Sequence, residues 1–401
     1  MLFVVLAAGL GCDSGVGSSI FLVPAEPRDA VNVPGAPRSA TPFAEAMSLR
    51  LDVTGAVRAQ GRISGPDDYH VFDIGSVPAG DHLVVRVQPL DRGFDPAVAI
   101  FDEHRAALWI NDDRVALRQL DAYADLVLRR DTAHCYVVVA ASPASDTAGE
   151  YLLSVSVSPG SPPPPRSQII YLDFEGATGV RIASNPPVDV PVFSAGLIDP
   201  TLRPQTDALI EMVVGRVRRD FAPYDVFIVS SRESPPPIEA HSTVYMGSYN
   251  PSLLGIADNV DTFNTRPVQE AIVFVDTFEV FMGLDPSLDM LADAMANVTS
   301  HEIGHLLGLS HTRDPAGIMD TSATLRQMMV AQAFRTSPLH PETFVIGRQD
   351  APATLLDTVG GDPDRAAIAA AAKVSPPTDG EPREAARSRW IFGTGCRGHG
   401  P

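Results

Sequence analysis

The chain has 401 residues, which is long for one hydrophobic core and favours two domains plus tails. Its 30 Lys and Arg residues stand against 49 Asp and Glu residues, and the resulting formal charge of −19 repels nucleic-acid phosphates and anionic lipid headgroups. We therefore expect no nucleic-acid partner. The three cysteines, Cys12, Cys135 and Cys396, lie far apart and form no CxxC pair, which argues against a cysteine-built metal site.

The N-terminus carries an apolar run from Leu2 to Leu10 that is too short to span a bilayer but has the length of an export-signal core. Cys12 follows, and then a stretch rich in Ser, Gly, Pro and Ala. This arrangement resembles a bacterial lipoprotein signal, which implies a signal peptide over residues 1–12, lipid attachment at Cys12 and a spacer over residues 13–43. We expect an exported protein, either a bacterial cell-envelope lipoprotein or an extracellular one, that meets the membrane only through the lipid. A plain N-terminal strand or unprocessed tail is the alternative.

Residues 44–157 contain short alternating apolar segments separated by Gly, Pro, Asp and Asn, a pattern that predicts an all-β sandwich domain. The predicted strands are Tyr69–Ile74, His82–Leu90, Ala97–Asp102, Cys135–Ala141 and Tyr151–Ser158. The order of DDYHVFDIG, FDPAVAIFDE, NDD and GEYLLSVSV resembles the bacterial pre-peptidase C-terminal (PPC) domain. That family is an accessory of secreted peptidases, and some members bind collagen or calcium. The resemblance implies a partner such as extracellular matrix or a cell-surface polymer.

Two polar clusters offer the oxygen ligands that Ca²⁺ prefers. They are Asp67, Asp68, Asp112 and Asp113 in the predicted sandwich, and Asp258, Asp261 and Asn264 further along the chain. Capping of turns explains both clusters without a cation. Calcium is therefore an open alternative here.

Residues 158–167, SPGSPPPPRS, contain four consecutive prolines and predict an extended linker. In residues 168–360 the strand patterns alternate with helical ones, which predicts an α+β domain with a twisted mixed sheet backed by helices. Asp285 and Pro286 predict the start of a long helix, as its N-cap and its first-turn proline. Residues 361–401 lack an apolar period and predict a disordered tail.

The long predicted helix ends in HEIGHLLGLSH, from His301 to His311. His301 and His305 are four residues apart, so both project from one helix face and can reach one cation. A catalytic zinc normally takes three protein ligands and leaves one position for water. Gly308 tolerates a positive φ, so it can end the helix and turn the chain back until His311 arrives as the third ligand. Glu302 would then lie beside the metal as the base for the attacking water.

This HExxHxxGxxH pattern resembles the metzincin zinc endopeptidases. The short spacing from His311 to Met319 in GIMD is most similar to the matrixins and their bacterial relatives. The resemblance implies a metzincin-like catalytic domain with one catalytic Zn²⁺ on His301, His305 and His311. It also implies Met319 in a methionine-bearing turn beneath the metal, Glu302 as general base, and protein or peptide substrates. The alternative is a catalytically weak adhesive or matrix-binding surface protein that uses the peptidase fold as a scaffold, and the intact Glu302 argues against it.

Overall fold

A computed structural model of the protein describes residues 30–33, 42–112, 121–143, 145, 147–372 and 393–394. The predicted signal peptide with Cys12, most of the predicted spacer, Asp113, and much of the predicted tail lie outside these described residues. Within the described ranges, no helix combines the length and the apolar character needed to cross a membrane.

The first part of the chain forms two five-stranded sheets. Its strands are β1 (Val31–Asn32), β2 (Met47–Ser48), β3 (Ala56–Ile63), β4 (Tyr69–Asp73), β5 (His82–Pro89), β6 (Pro96–Phe101), β7 (Ala107–Asn111), β8 (Ala122–Val127), β9 (Tyr136–Ala141) and β10 (Gly149–Ser158). One sheet has the order β1-β3-β10-β5-β8 and the other β2-β4-β9-β6-β7. Apolar side chains from both sheets share one core, so the two sheets form the predicted β-sandwich.

Strand β10 shows why these residues form a sandwich. Tyr151, Leu153 and Val155 alternate with partly exposed residues and point into the shared core. Strand β6 behaves differently, because all six of its residues are buried. Its second face is covered by Leu339 and Phe344, which lie much later in the chain. The sandwich therefore has one outer face in contact with the second part of the protein.

The second part of the chain is built on a six-stranded mixed sheet and two separate hairpins. The strands of this second part are β11 (Gln168–Asp173), β12 (Ala177–Val180), β13 (Val188–Val190), β14 (Val226–Ser230), β15 (Ser242–Met246), β16 (Gly255–Ala257), β17 (Glu270–Val273), β18 (Thr336–Pro338), β19 (Arg348–Asp350) and β20 (Gly393–Thr394). The sheet order is β14-β11-β15-β17-β16-β20, in which β16 runs antiparallel to β17 and the other pairs are parallel. Two hairpins, β12-β13 and β18-β19, lie outside it.

The helices complete the predicted α+β arrangement. They are α1 (Thr206–Phe221), α2 (Glu279–Met282), α3 (Leu288–Leu306), α4 (Leu325–Met328), α5 (Ala351–Val359) and α6 (Pro363–Ala372), with short 3₁₀ turns at Ala195–Leu197, Pro200–Gln205 and Val275–Phe278. Helices α1 and α3 share one hydrophobic core with the mixed sheet. The prediction of a mixed sheet with helices following a β-rich part is confirmed.

Two sequence predictions are wrong, one about the start of helix α3 and one about disorder after residue 360. Helix α3 begins at Leu288 rather than at Pro286, because Ser287 is the N-cap and its hydroxyl accepts a hydrogen bond from the Met290 amide at 3.2 Å. Asp285 instead adopts a positive φ of 52° before the helix. The predicted disorder from residue 361 is also wrong for residues 363–372, where an alanine-rich segment of high helix propensity forms α6.

Candidate metal centre

Helix α3 carries the first two histidines and ends directly after them. Its C-terminus is a Schellman turn, in which the Leu309 amide donates to the Gly304 carbonyl at 2.8 Å and the Gly308 amide to the His305 carbonyl at 2.9 Å. Gly308 has a φ of +90°, and a Cβ there would come within 2.7 Å of the Thr262 backbone. Glycine is therefore required both for the turn and for the close approach of the neighbouring chain.

The turn brings the three histidines together. Nε2 of His305 lies 3.0 Å from Nε2 of His301 and 3.1 Å from Nε2 of His311. On their other side, Nδ1 of His301 donates to the Ile318 carbonyl and Nδ1 of His305 to the Leu309 carbonyl, both at 2.7 Å. These bonds fix the tautomer that leaves the Nε2 lone pairs directed at one another.

The chemistry of this donor set fits a zinc ion. Burial lowers the pKa of His301 well below its usual value and that of His305 to about 4, so both rings are neutral at physiological pH. Neutral rings have no spare proton to place between facing lone pairs, whereas a shared cation would bind all three. Tetrahedral zinc–imidazole geometry separates neighbouring nitrogens by about 3.3 Å, close to the spacing seen here. The three histidines are the candidate ligands.

Glu302 is completely buried, and neither of its carboxylate oxygens has a hydrogen-bond partner among the described residues. Burial raises the pKa of this carboxyl well above its usual value. Burying a carboxyl without a hydrogen-bond partner lowers the stability of the fold. Such a group in a native structure therefore calls for a functional explanation. A cation held by the adjacent histidines would favour its ionised form.

Met319 lies against the helix between the two helical histidines. A Cβ on Gly304 would come within 2.5 Å of the Met319 sulfur, so the thioether packs directly on the helix backbone. The Met319 carbonyl accepts a hydrogen bond from the Thr312 amide at 2.8 Å, which ties the methionine turn to the residue after His311. The Met319 sulfur therefore contacts α3 at Gly304, the residue directly before His305.

The sequence reasoning missed three residues that shape this site. Gly304 admits the Met319 sulfur, and Gly255 of β16 lies against Glu302, where a Cβ would come within 2.8 Å of the Glu302 Cγ and Cδ. Gln349 hydrogen-bonds the backbone next to His311. The two glycines carried a signal, since glycine inside a helix or strand often marks a close approach of another group.

Several members of the two acidic clusters that could offer Ca²⁺ ligands are engaged in hydrogen bonds within the protein. The Asp261 carboxylate accepts bonds from Thr265, Arg266 and Gln269. In the sandwich, Asp68 accepts from the Ser64 amide and Asp112 from the Ser142 hydroxyl. Across the described ranges, the three histidines form the one group of three or more His, Cys, Asp or Glu with ligand atoms close enough to share a metal. Calcium has no support in the described residues.

Residues 264–333 match the family model described as matrixin, and this stretch contains the three histidines, Glu302 and Met319. The segment is matrixin-like. The match confirms the resemblance predicted from the sequence, and it supports a zinc metallopeptidase. No curated protein matches the chain.

Solved structures resemble both parts of the chain. The pre-peptidase C-terminal domain of collagenase from Bacillus anthracis is 17% identical, with coverage of 28% of this chain and 95% of that one and a TM-score of 0.22. Archaemetzincin from Methanopyrus kandleri is 14% identical over 42% and 87% of the two chains, and a zinc-dependent peptidase from Methanocorpusculum labreanum is 16% identical over 41% and 94%, each with a TM-score of 0.24. At these TM-scores the likenesses carry no inference about function.

Proposed function

We propose that the protein is a zinc-dependent endopeptidase that hydrolyses internal peptide bonds of protein substrates. The observation that carries the proposal is the convergence of three histidine Nε2 atoms, with spacings of 3.0 and 3.1 Å, next to a buried carboxyl that has no hydrogen-bond partner among the described residues. His301, His305 and His311 would hold the metal. Glu302 would be the general base and Met319 would support the floor of the site.

Bound zinc would lower the pKa of a coordinated water to about 7 and polarise the scissile carbonyl. Glu302 would take a proton from the attacking water and pass it to the departing amine. Its burial suits this exchange, because a carboxyl with a raised pKa is protonated more readily than an exposed one. The hydrogen bonds from the Nδ1 atoms to backbone carbonyls keep the two helical rings oriented throughout.

The test compares Glu302→Ala with His301→Ala and His305→Ala. Loss of a ligand should remove zinc, and with it the stability that binding to the native state provides. Glu302→Ala should keep zinc and lose activity by about 10²–10⁴-fold, because only the base is missing. Mass spectrometry measures the zinc content of each variant, and cleavage of a random peptide library measures its activity. Near wild-type cleavage by zinc-loaded Glu302→Ala would refute the mechanism, and a wild-type protein without zinc affinity would refute the site.

We also propose that the protein is exported and lipid-anchored through Cys12, with substrates outside the cell. The support is the apolar run before Cys12 and the spacer composition after it. The wild-type protein should partition into detergent, and Cys12→Ser should release it. A mature N-terminus elsewhere, without lipid in the mass spectrum, would contradict this proposal.

A further inference from the structure

The segment from Thr336 to Asp350, which we call the bridging hairpin, contacts both the metal centre and the sandwich. Its arms are β18 and β19, which pair with Thr336 opposite Asp350 and Pro338 opposite Arg348. The loop between them spans residues 339–347. The arms adjoin the chain around His311, and the loop packs on the outer face of the sandwich.

The bridging hairpin hydrogen-bonds the backbone of the third histidine and of the residue before it, through Gln349 of one arm and through its loop. The buried Gln349 side chain accepts a hydrogen bond from the Ser310 amide at 2.6 Å and donates to the Ser310 carbonyl at 3.0 Å. The His311 carbonyl accepts from the His340 amide at 3.0 Å and from the Thr343 hydroxyl at 3.3 Å. His301 and His305 lie on a regular helix, whereas His311 lies on irregular chain. The position of His311 therefore depends on the hairpin.

The loop has its hydrophobic contacts in the sandwich. Leu339 and Phe344 are buried in a cluster with Phe43, Phe101 and other residues of the outer sheet face, and the rings of Phe101 and Phe344 are 5.9 Å apart. Gly347 has a φ of +94° and lies so close to Phe101 that no side chain would fit between them.

The two parts of the chain also meet through their backbones. The Arg348 amide donates to the Arg105 carbonyl at 3.0 Å, directly before Gln349. Arg348 also forms a parallel bridge with Ala106 of the sandwich. The contact path from the sandwich to the Ser310 backbone is therefore continuous.

We propose that the β-sandwich holds the third zinc ligand in place through the bridging hairpin, with Gln349 as the positioning residue. The inference rests on the proposed zinc function. Without the sandwich, Leu339 and Phe344 would be exposed to water, and ordering the loop would have no apolar burial to offset its entropy. The β-sandwich therefore contributes to the metal centre. It is not an independent accessory domain that the proline-rich linker holds at a distance.

The test uses the full chain with three substitutions. Gln349→Met keeps the length of the side chain and removes both hydrogen bonds to Ser310. Phe101→Leu weakens the contact with Phe344 on the outer face of the sandwich. Phe72→Leu is the matched control, because Phe72 is equally buried but belongs to the inner core between the sheets. The zinc dissociation constant, from competition with a chelator, and the visible spectrum of the Co²⁺-loaded protein report the ligand geometry.

We expect Gln349→Met to raise the zinc dissociation constant by about 10–100-fold, the usual effect of losing a partner that orients a metal ligand, and to alter the Co²⁺ spectrum. Gln349→Glu keeps the acceptor for the Ser310 amide and should therefore weaken zinc binding less than Gln349→Met. This second variant also tests the inference if Gln349→Met fails to fold. Phe101→Leu should weaken zinc binding by several-fold more than Phe72→Leu.

Two results would overturn the inference. One is wild-type zinc affinity and Co²⁺ spectrum in both Gln349 variants. The other is equal weakening by Phe101→Leu and Phe72→Leu, which would indicate general destabilisation. If the wild-type protein bound zinc and cleaved peptides in either case, the proposed function would stand while this inference fell. Absence of zinc binding by the wild-type protein would overturn both.

Discussion

Gly255→Ala should disable the proposed general base without removing the metal. Gly255 begins β16, and a Cβ there would come within 2.8 Å of the Glu302 Cγ and Cδ and closer still to Oε1. Carbon atoms normally approach to about 3.5–4.0 Å, so the added methyl requires a displacement of about 1 Å. Glu302 is completely buried, and it is the group in direct contact with the new methyl. The carboxylate is therefore the group that we expect to move.

The structure also sets the size of the effect. Misplacing a reacting group by about 1 Å typically costs on the order of 10² in rate. We expect kcat to fall by about that factor while zinc affinity stays within about threefold of wild type. The atoms nearest to the new methyl all belong to Glu302, and His301 and His305 keep the carbonyl partners that orient them. In the double variant with Glu302→Asp, the shorter side chain should leave room for the methyl. The two substitutions should then combine non-additively.

The assay is steady-state cleavage of a peptide found in the library screen, together with metal content. Gly215→Ala is the matched control, since Gly215 lies on the exposed side of α1 and an added Cβ would meet nothing within 4 Å. That control should keep full activity and gain about 1 kcal/mol of stability from helix propensity. Full activity in Gly255→Ala would show that β16 yields instead of Glu302, and would refute the reasoning.

Three further predictions concern stability. Asn297→Ala should lower the free energy of unfolding by about 2–4 kcal/mol in urea titrations, because the buried Asn297 amide donates to two carbonyls after the methionine turn and accepts from one amide. Gly308→Ala should lose about 1–2 kcal/mol from its positive φ alone, and also weaken zinc binding in chelator competition. Burial lowers the pKa of His70, so its neutral form stabilises the fold above pH about 6.5, and this contribution is lost as the pH falls toward the lowered value. Wild type should therefore lose stability relative to His70→Gln between pH 7 and pH 5, by at most about 1.4 kcal/mol per pH unit; a constant difference would contradict this.

Local spacing explains why the convergence of the three histidines could be predicted from the sequence. His301, Glu302 and His305 are placed by one helix, and Gly308 by the turn that ends it, so four of the residues depend on short-range geometry. Gly255 could not be assigned to the site in this way. It is 47 residues before Glu302 in the chain, and only the packing of β16 beside α3 brings the two together.

The contact between the sandwich and the hairpin did leave a trace in the sequence. PAVAIF in β6 and YVVVAA in β9 are nearly continuous apolar runs, and all but one of their twelve residues are buried. A strand with one wet face would alternate, so an unbroken run indicates that both faces are covered. The apolar runs indicate that another segment packs on the outer face of the sheet. They cannot identify Leu339 and Phe344 as that segment, because any apolar segment would satisfy the same pattern.

Several features of the candidate metal centre would each be unfavourable if it occurred alone. Glu302 is a buried carboxyl without a partner among the described residues, two neutral imidazoles face each other across 3.0 Å, and Gly304 weakens the interior of α3. One cation between the rings would counter the first two, and the Met319 sulfur at Gly304 occupies the space that glycine leaves. Departures from local rules that converge on one point are typical of functional sites. This convergence favours a metal-binding site over a peptidase fold that has become a non-catalytic scaffold. In a non-catalytic protein, replacing each of these residues would increase stability without any loss of function.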